Sequence, residues 1–485
     1  MVPRLERNLV KKLALAAAAV VAISAAAYFA IGPFGQGGYS KPDSEGVIGV
    51  EKIGGVWWFV DADGEKFIAT GMNHIGKQTR FASYNIDFWK GKFGPGMIKN
   101  GKVDYKSQEA ENWLDTVIAD HIDHGFTIIP FHRDSRLNLE YFEKRKMKYM
   151  ASFKLGDIGI FGSKFHGGYP DVFSKHWEIY AENQAKRILG KLKDRKYLVG
   201  YTYSDLPLYT IDTYFFSRKF AIPTDRSGKI HPWVFQVIST PGKTKGKIVW
   251  VDILKRHYDS PAAAGEAYGV SAQDWQDLYR VTDWSHAKDI DKFNADQIEM
   301  TKALTEKWLK TNHDLIRRHD PKHLIFGDKV PLTDLNHPDW LWEIIGKYVD
   351  VVMIQDYTRF DQEHADELTR IHKLTNRPIV NGDHAFVAPR PTIKRFKGVS
   401  VENATEVGKE YTKYMEGIMA LPFMIGWQNC GYIEQAQGGT DATGLAQAGL
   451  FDPFGNPIEE AMVLVEKANR SAVSWHENAK PSSFW

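Results

Sequence analysis

The chain has 485 residues, 43% hydrophobic and 25% charged, ordinary values for a globular protein with a sizeable core. Its 62 basic and 60 acidic residues leave a net charge of +2, which lacks the basic surplus of a nucleic-acid binder. One cysteine, Cys430, excludes an intramolecular disulfide; it sits in an apolar strand pattern and reads as a buried small residue rather than a nucleophile.

At the N-terminus, Arg4, Arg7, Lys11 and Lys12 precede an uncharged stretch from Leu13 to Ile31. Basic residues before an apolar run form either a secretory signal or an uncleaved anchor. Ala25-Ala26-Ala27 offers small residues for cleavage, whereas the length matches a bilayer span. Both readings put the remaining chain outside the cytoplasm: periplasmic, secreted or membrane-anchored. Residues 1–31 are the address, 32–46 a Gly/Pro/Ser-rich linker, 47–475 one large domain and 476–485 a tail.

Val56-Trp57-Trp58-Phe59-Val60 and the run from Lys66 towards His74 flank Asp61-Ala62-Asp63-Gly64, the pattern of a β-hairpin. The second of these runs doubles as the first strand of a larger sheet, ending at His74. Further apolar runs are Phe126–Phe131, Met150–Phe153, Tyr197–Tyr203, His323–Gly327, Val349–Ile354, Pro378–Gly382 and Phe423–Trp427. Helical patterns such as Ala295–Arg318 and Val407–Ala420 lie between them. Short apolar strands alternating with helices make a parallel sheet, and eight such units make a (β/α)8 TIM barrel. Ile211 to Asp289 is a partly helical insertion between the fourth and fifth strands.

The expected strands end in polar residues, and an α/β barrel works at those ends. His74, Arg133, Asp205, Asp328, Gln355, Asp356, Tyr357, Asp383, Trp427 and Glu434 therefore face one bowl. Several carboxylates there suit general acid/base or nucleophilic work. Each residue has a structural alternative. Asp328 pairs with Lys329 or Arg133, Asp356 accepts loop backbone bonds, Asp205 only forms a turn before Leu206-Pro207, Glu434 sits on the rim, and Trp427 is core. His132, Asp134 and His74 offer metal ligands, but no compact His-Glu-x-x-His spacing occurs. Neither a Walker loop nor a Gly-x-Ser-x-Gly elbow is present.

Gly55–Gly64, leading to Gly71-Met72-Asn73-His74, resembles the opening of agarase-like and β-galactosidase-like glycoside hydrolases of the (β/α)8-barrel clan. Leu198-Val199-Gly200-Tyr201 resembles their fourth strand, Arg377 to Asp383 and Phe423 to Trp427 their seventh and eighth, and Leu450 to Pro457 their closing segment. The resemblance implies retaining hydrolysis of a galactose-containing polysaccharide, without a cofactor, by a carboxylate pair at the fourth and seventh strand ends. It places Asp205 as general acid and Asp383 as nucleophile or base. His74, Arg133, Asp328, Gln355, Asp356, Tyr357, Trp427 and Glu434 would then bind substrate. The chain departs from the family at both catalytic positions, with Ser204-Asp205 for Asn-Glu and Asp383 for Glu. Asp is one methylene shorter, so the carboxylate separation that sets the stereochemical outcome is not inherited. The alternative implication is an inactive carbohydrate-binding barrel at the cell surface.

Overall fold

The computed structural model describes residues 42–76, 81, 83–155, 169–207, 209, 232–284, 286–332, 337–389, 396–435 and 446–479. The expected signal or anchor, and the linker up to residue 41, lie outside them. Among the described residues, no helix is long and apolar enough to cross a membrane.

Strands β1 (Gly49–Ile53), β2 (Val56–Val60) and β3 (Lys66–Phe67) form an antiparallel sheet in that order. The apolar pattern does not reveal β1, because Glu51 and Lys52, both exposed, break it. The chain then changes sheets within two residues: β4 (Ala69–Met72) is fully buried and belongs to the main sheet.

The main sheet adds β5 (Tyr149–Ser152), β6 (Leu198–Asp205), β7 (Leu324–Pro331), β8 (Val352–Gln355), β9 (Ile379–His384) and β10 (Met424–Asn429). Its order is β4-β10-β9-β8-β7-β6-β5 and every pair is parallel. These strands read as unbroken apolar runs because both faces are covered. The expected strand Phe126–Phe131 forms no continuous ladder, since Pro130 has no N–H to give. It nevertheless bonds to both edge strands. Ile128 N donates to Thr70 O at 3.0 Å on one side, and Met150 N to Ile129 O at 3.0 Å on the other.

One apolar cluster draws residues from all seven strands or their immediate starts and from Ile128 and Phe131, with Phe59 and Phe67 of the small sheet packed into it. Outside the sheet, helices α1 (Gln108–Asp123), α2 (Lys175–Leu189), α3 (Lys245–His257), α4 (Ile290–His319), α5 (Asp339–Gly346), α6 (Gln362–Thr375), α7 (Ala404–Met419) and α8 (Glu459–Glu477) come in that order. Six of these starts are set locally. Ser107, Ser174, Thr244, Asp289, Asp361 and Asn403 each cap a first turn with a side-chain oxygen. In α7, Val407, Tyr411, Tyr414, Met415 and Ile418 are buried at helical spacing. Between β6 and α4 the described part of the expected insertion is helical, including α3.

Helix α8 runs two residues into the expected tail, and its buried His476 sets its two ring nitrogens 2.9 Å from the accepting carbonyl oxygens of Trp57 and Met419. Asn469 of α8 is buried and accepts from the Tyr411 hydroxyl, while Asn403 caps α7.

Strand β7 outruns its expected end. Gly327 holds φ at +70°, and a Cβ there would meet Val349 Cγ1 at 2.7 Å, so glycine is required. The β6–β7 register shifts beside this residue. After it Asp328 turns outward and Lys329 turns inward, which decides the chemistry of the strand end.

Candidate active site

Asp205 ends β6 and Asp383 lies near the end of β9, two strands that are not neighbours in the sheet. Lys329, from β7 between them in chain order, joins the two. Its Nζ donates to Asp383 Oδ2 at 2.7 Å and stands 3.1 Å from Asp205 Oδ1. Those two oxygens lie no farther apart than the sum of the distances, about 5.8 Å. Lys329 and Asp383 have no exposed side-chain surface, whereas Asp205 keeps 21%.

The second link is His132. Its Nε2 lies 3.6 Å from Asp205 Oδ2 and its Nδ1 3.7 Å from Asp383 Oδ2, with 16% of the side chain exposed. Asn73, just beyond β4, donates from Nδ2 to Asp383 Oδ1 at 3.0 Å and to Gly382 O at 2.9 Å. His74 packs its ring 4.1 Å from that of His132 and lies with Nε2 3.0 Å from the Cys430 sulfur. Cys430 is thus buried, as its sequence context indicates, but it lies within the cluster rather than in a remote core.

Burial alone would raise both carboxyl pKa values. The Lys329 ammonium, followed by His132, reverses this and holds Asp205 below the usual carboxylate range. The same cation, with His132 and Lys397, holds Asp383 well below it. In turn, burial would lower Lys329, and the two aspartates raise it above its ordinary value. Burial, then Asp383, push the Cys430 thiol up to about 12, so it is no thiolate nucleophile at neutral pH.

The remaining expected residues divide between the cluster and its surroundings. Gln355 ends β8 on the inward phase of Val351 and Met353, and its Oε1 is buried with no hydrogen bond. Tyr357 lies two residues beyond, half-buried, with Lys397 Nζ 5.1 Å above its ring and His384 stacked on it. Asp328 does not pair with Lys329. Facing outward, it accepts from Ser204 N at 2.8 Å, Tyr209 Oη at 2.7 Å and Trp308 Nε1 at 2.9 Å.

Asp356 is turned to His364 Nε2 at 3.2 Å and the Thr358 hydroxyl at 2.8 Å. Arg133 donates to Pro130 O at 2.5 Å, and burial lowers its pKa to about 10; among the described residues, no contact joins it to the aspartates or to Asp328. Trp427 has no exposed surface and meets Tyr411 of α7 edge-on at 4.2 Å, so it is core rather than an open stacking floor. Glu434 is buried against Phe386, Ala448 and Leu450 in a small crevice, not on the rim. Lys329, His132 and Asn73 join the site without having been expected to bind substrate or carry the reaction. For Lys329 the only sequence signal is a cation at a strand end, beside an aspartate that is the more obvious candidate.

Ligand atoms of His74, His132 and Asp383 lie within 4.8 Å of one another, a spacing that accommodates a divalent cation. Asp134, expected beside them, is instead bound by Arg136. The Lys329 ammonium on Asp383 Oδ2 works against such a site, because a second cation there meets direct repulsion.

A parallel α/β sheet thus gathers its polar strand ends into one buried cluster. No protein-family model matches the chain. It is similar to β-agarase B of Vibrio sp. (strain JT0107), at 21% identity over 449 residues that cover 81% of this chain and 45% of the relative. The chain therefore spans less than half the length of that curated relative. Among solved structures, an exo-β-agarase superposes with a TM-score of 0.69 at 16% identity, covering 90% of this chain and 66% of the other. A second agarase gives 0.69 at 15% identity, with 91% and 67% covered. These likenesses establish a common fold.

Proposed function

We propose that the chain is a glycoside hydrolase acting on an agarose-like, galactose-containing polysaccharide or oligosaccharide, exported through residues 1–31. On this reading the seven parallel strands and Phe126–Phe131 close into a (β/α)8 barrel, with the cluster at its mouth. The observation that carries the proposal is the meeting of Asp205 and Asp383 on one buried ammonium. The two oxygens that face Lys329 lie within about 5.8 Å of each other, a bound that admits the retaining separation of roughly 5–5.5 Å between carboxyl groups.

Asp383 attacks the anomeric carbon as the glycosidic C–O bond breaks, and Asp205 gives its proton to the leaving oxygen. Water then displaces the Asp383 ester and returns a proton to Asp205. Gln355, Tyr357 and His74 contribute polar atoms around the ring, and no metal or cofactor enters the reaction.

A panel of galactans and other polysaccharides, assayed for released reducing ends, tests this. Asp205→Asn and Asp383→Asn should each abolish release while circular dichroism is unchanged, and near-full activity in either removes that residue from the mechanism. One observation favours a second reading, a glycan-binding barrel without turnover: a single lysine bridges both carboxylates, and Asp383 has no exposed surface. That reading gives binding in a co-sedimentation assay and no released ends.

A further inference from the structure

We propose that Lys329 divides the labour of the two aspartates: its ammonium is committed to Asp383 by a hydrogen bond, which leaves Asp205 as the carboxylate that exchanges the proton. The inference rests on the hydrolase reading and deepens it.

The two contacts of Lys329 differ in kind. With Asp383 it makes a hydrogen bond of 2.7 Å, and Asn73 takes the other oxygen at 3.0 Å, so both oxygens of Asp383 are held by donors. With Asp205 the separation is 3.1 Å but hydrogen-bond alignment is absent, and Asp205 Oδ1 is buried without a hydrogen bond. A carboxylate whose oxygens both accept from donors resists protonation, whereas a buried oxygen without a donor is open to a proton. Asp205 is also the more accessible of the two, at 21% against 0%. Burial raises both carboxyl groups, and Lys329 outweighs it to set both below their usual range, Asp383 well below.

Among the described residues, the other titratable or charged groups facing the pair are His132, Lys397, Tyr357 and Cys430, with His74 behind them on the Cys430 sulfur. Of these, His132 lies at nearly equal distance from both carboxylates, 3.6 and 3.7 Å, and adds a smaller bias in the same direction by favouring the ionised Asp383. The largest part of the asymmetry comes from Lys329, which makes the shorter contact and acts through Asp383 as a positioning residue. In the reaction the proton on Asp205 passes to the leaving oxygen as the C–O bond breaks. Asp383 supplies the electron pair to the anomeric carbon, and the attacking water later restores the Asp205 proton.

The test is the pH profile of kcat/KM for the full chain, beside infrared difference spectra in the carboxyl region against the unaltered protein. In Lys329→Met the acid limb should move up by at least about one pH unit, a tenfold loss where the unaltered chain is flat. Lys329→Arg should move it back. The same methionine variant should gain a protonated-carboxyl band that is absent in Lys329→Met/Asp383→Asn, a double variant that also relieves the unpaired buried charge if the single one folds poorly. An unmoved limb, or a band lost with Asp205→Asn instead of Asp383→Asn, overturns the division of roles while leaving the hydrolase reading standing. No hydrolysis by the unaltered chain overturns both.

Discussion

Replacing Asp328 by Asn should flatten one component of the protein's pH-dependent stability. The carboxyl group is 4% exposed and accepts from Ser204 N, Tyr209 Oη and Trp308 Nε1, with no cation among these partners. Burial outweighs these hydrogen bonds, and that of the Ser204 side chain, and raises its pKa from 3.8 to about 6. The folded protein thus binds this proton more tightly than the unfolded chain. The resulting stabilisation is fully present below about pH 3.8 and is lost as pH rises through about 6. A shift of roughly 2 units at about 1.36 kcal/mol each gives about 3 kcal/mol, an order-of-magnitude figure.

Asn keeps an acceptor oxygen but cannot ionise, and it loses on the order of 1 kcal/mol at every pH by presenting N–H to one donor. Denaturant unfolding of both proteins across pH 4–7.5 should show the advantage of the unaltered chain shrinking by about 3 kcal/mol, with other titrations cancelling in the difference. A pH-independent difference would refute the assignment of Asp328 to a buried, cation-free, outward-facing position.

Trp427→Ala should cost about 3–5 kcal/mol in unfolding free energy, as core truncations do, with glycan affinity of the folded protein retained; a selective loss of affinity at unchanged stability would place the indole in the sugar site after all. Gln355→Ala, which removes a buried and unbonded acceptor, should raise KM about tenfold with little change in melting temperature. EDTA should alter neither turnover nor melting, because Lys329 occupies Asp383; inactivation reversed by a divalent metal would restore the His74–His132–Asp383 site to consideration.

Much of the fold is legible from local signals. Strands β4 to β10 sit on apolar runs that the sequence displays, and the helix starts coincide with capping side chains such as Ser174 and Asn403. The polar strand ends point to a site, and Asp205 and Asp383 stand in it. The misreadings are mostly displacements by one residue. Arg133 is expected where His132 makes the contacts, Asp328 where Lys329 does, and Trp427 where Gln428 has the inward side chain, on Met150 Sδ at 3.2 Å. Asp356 turns away while the adjacent Gln355 faces in.

Alternation of side chains along a strand has a period of two, but its phase restarts at every irregularity. Pro130, Gly327 at φ +70° and the register shifts between β9 and β10 are such points, and each lies just before a functional side chain.

The order of residues alone determined that short apolar strands would alternate with helices and that charge would gather where those strands stop, because both arise from hydrophobic spacing within some ten residues. Only the folded chain decided which of two neighbouring side chains looks inward. It also decided that one lysine would sit between two acids that reach it from separate strands. Such an encounter depends on strand order, bulge placement and the exclusion of water, none of which a stretch of sequence contains.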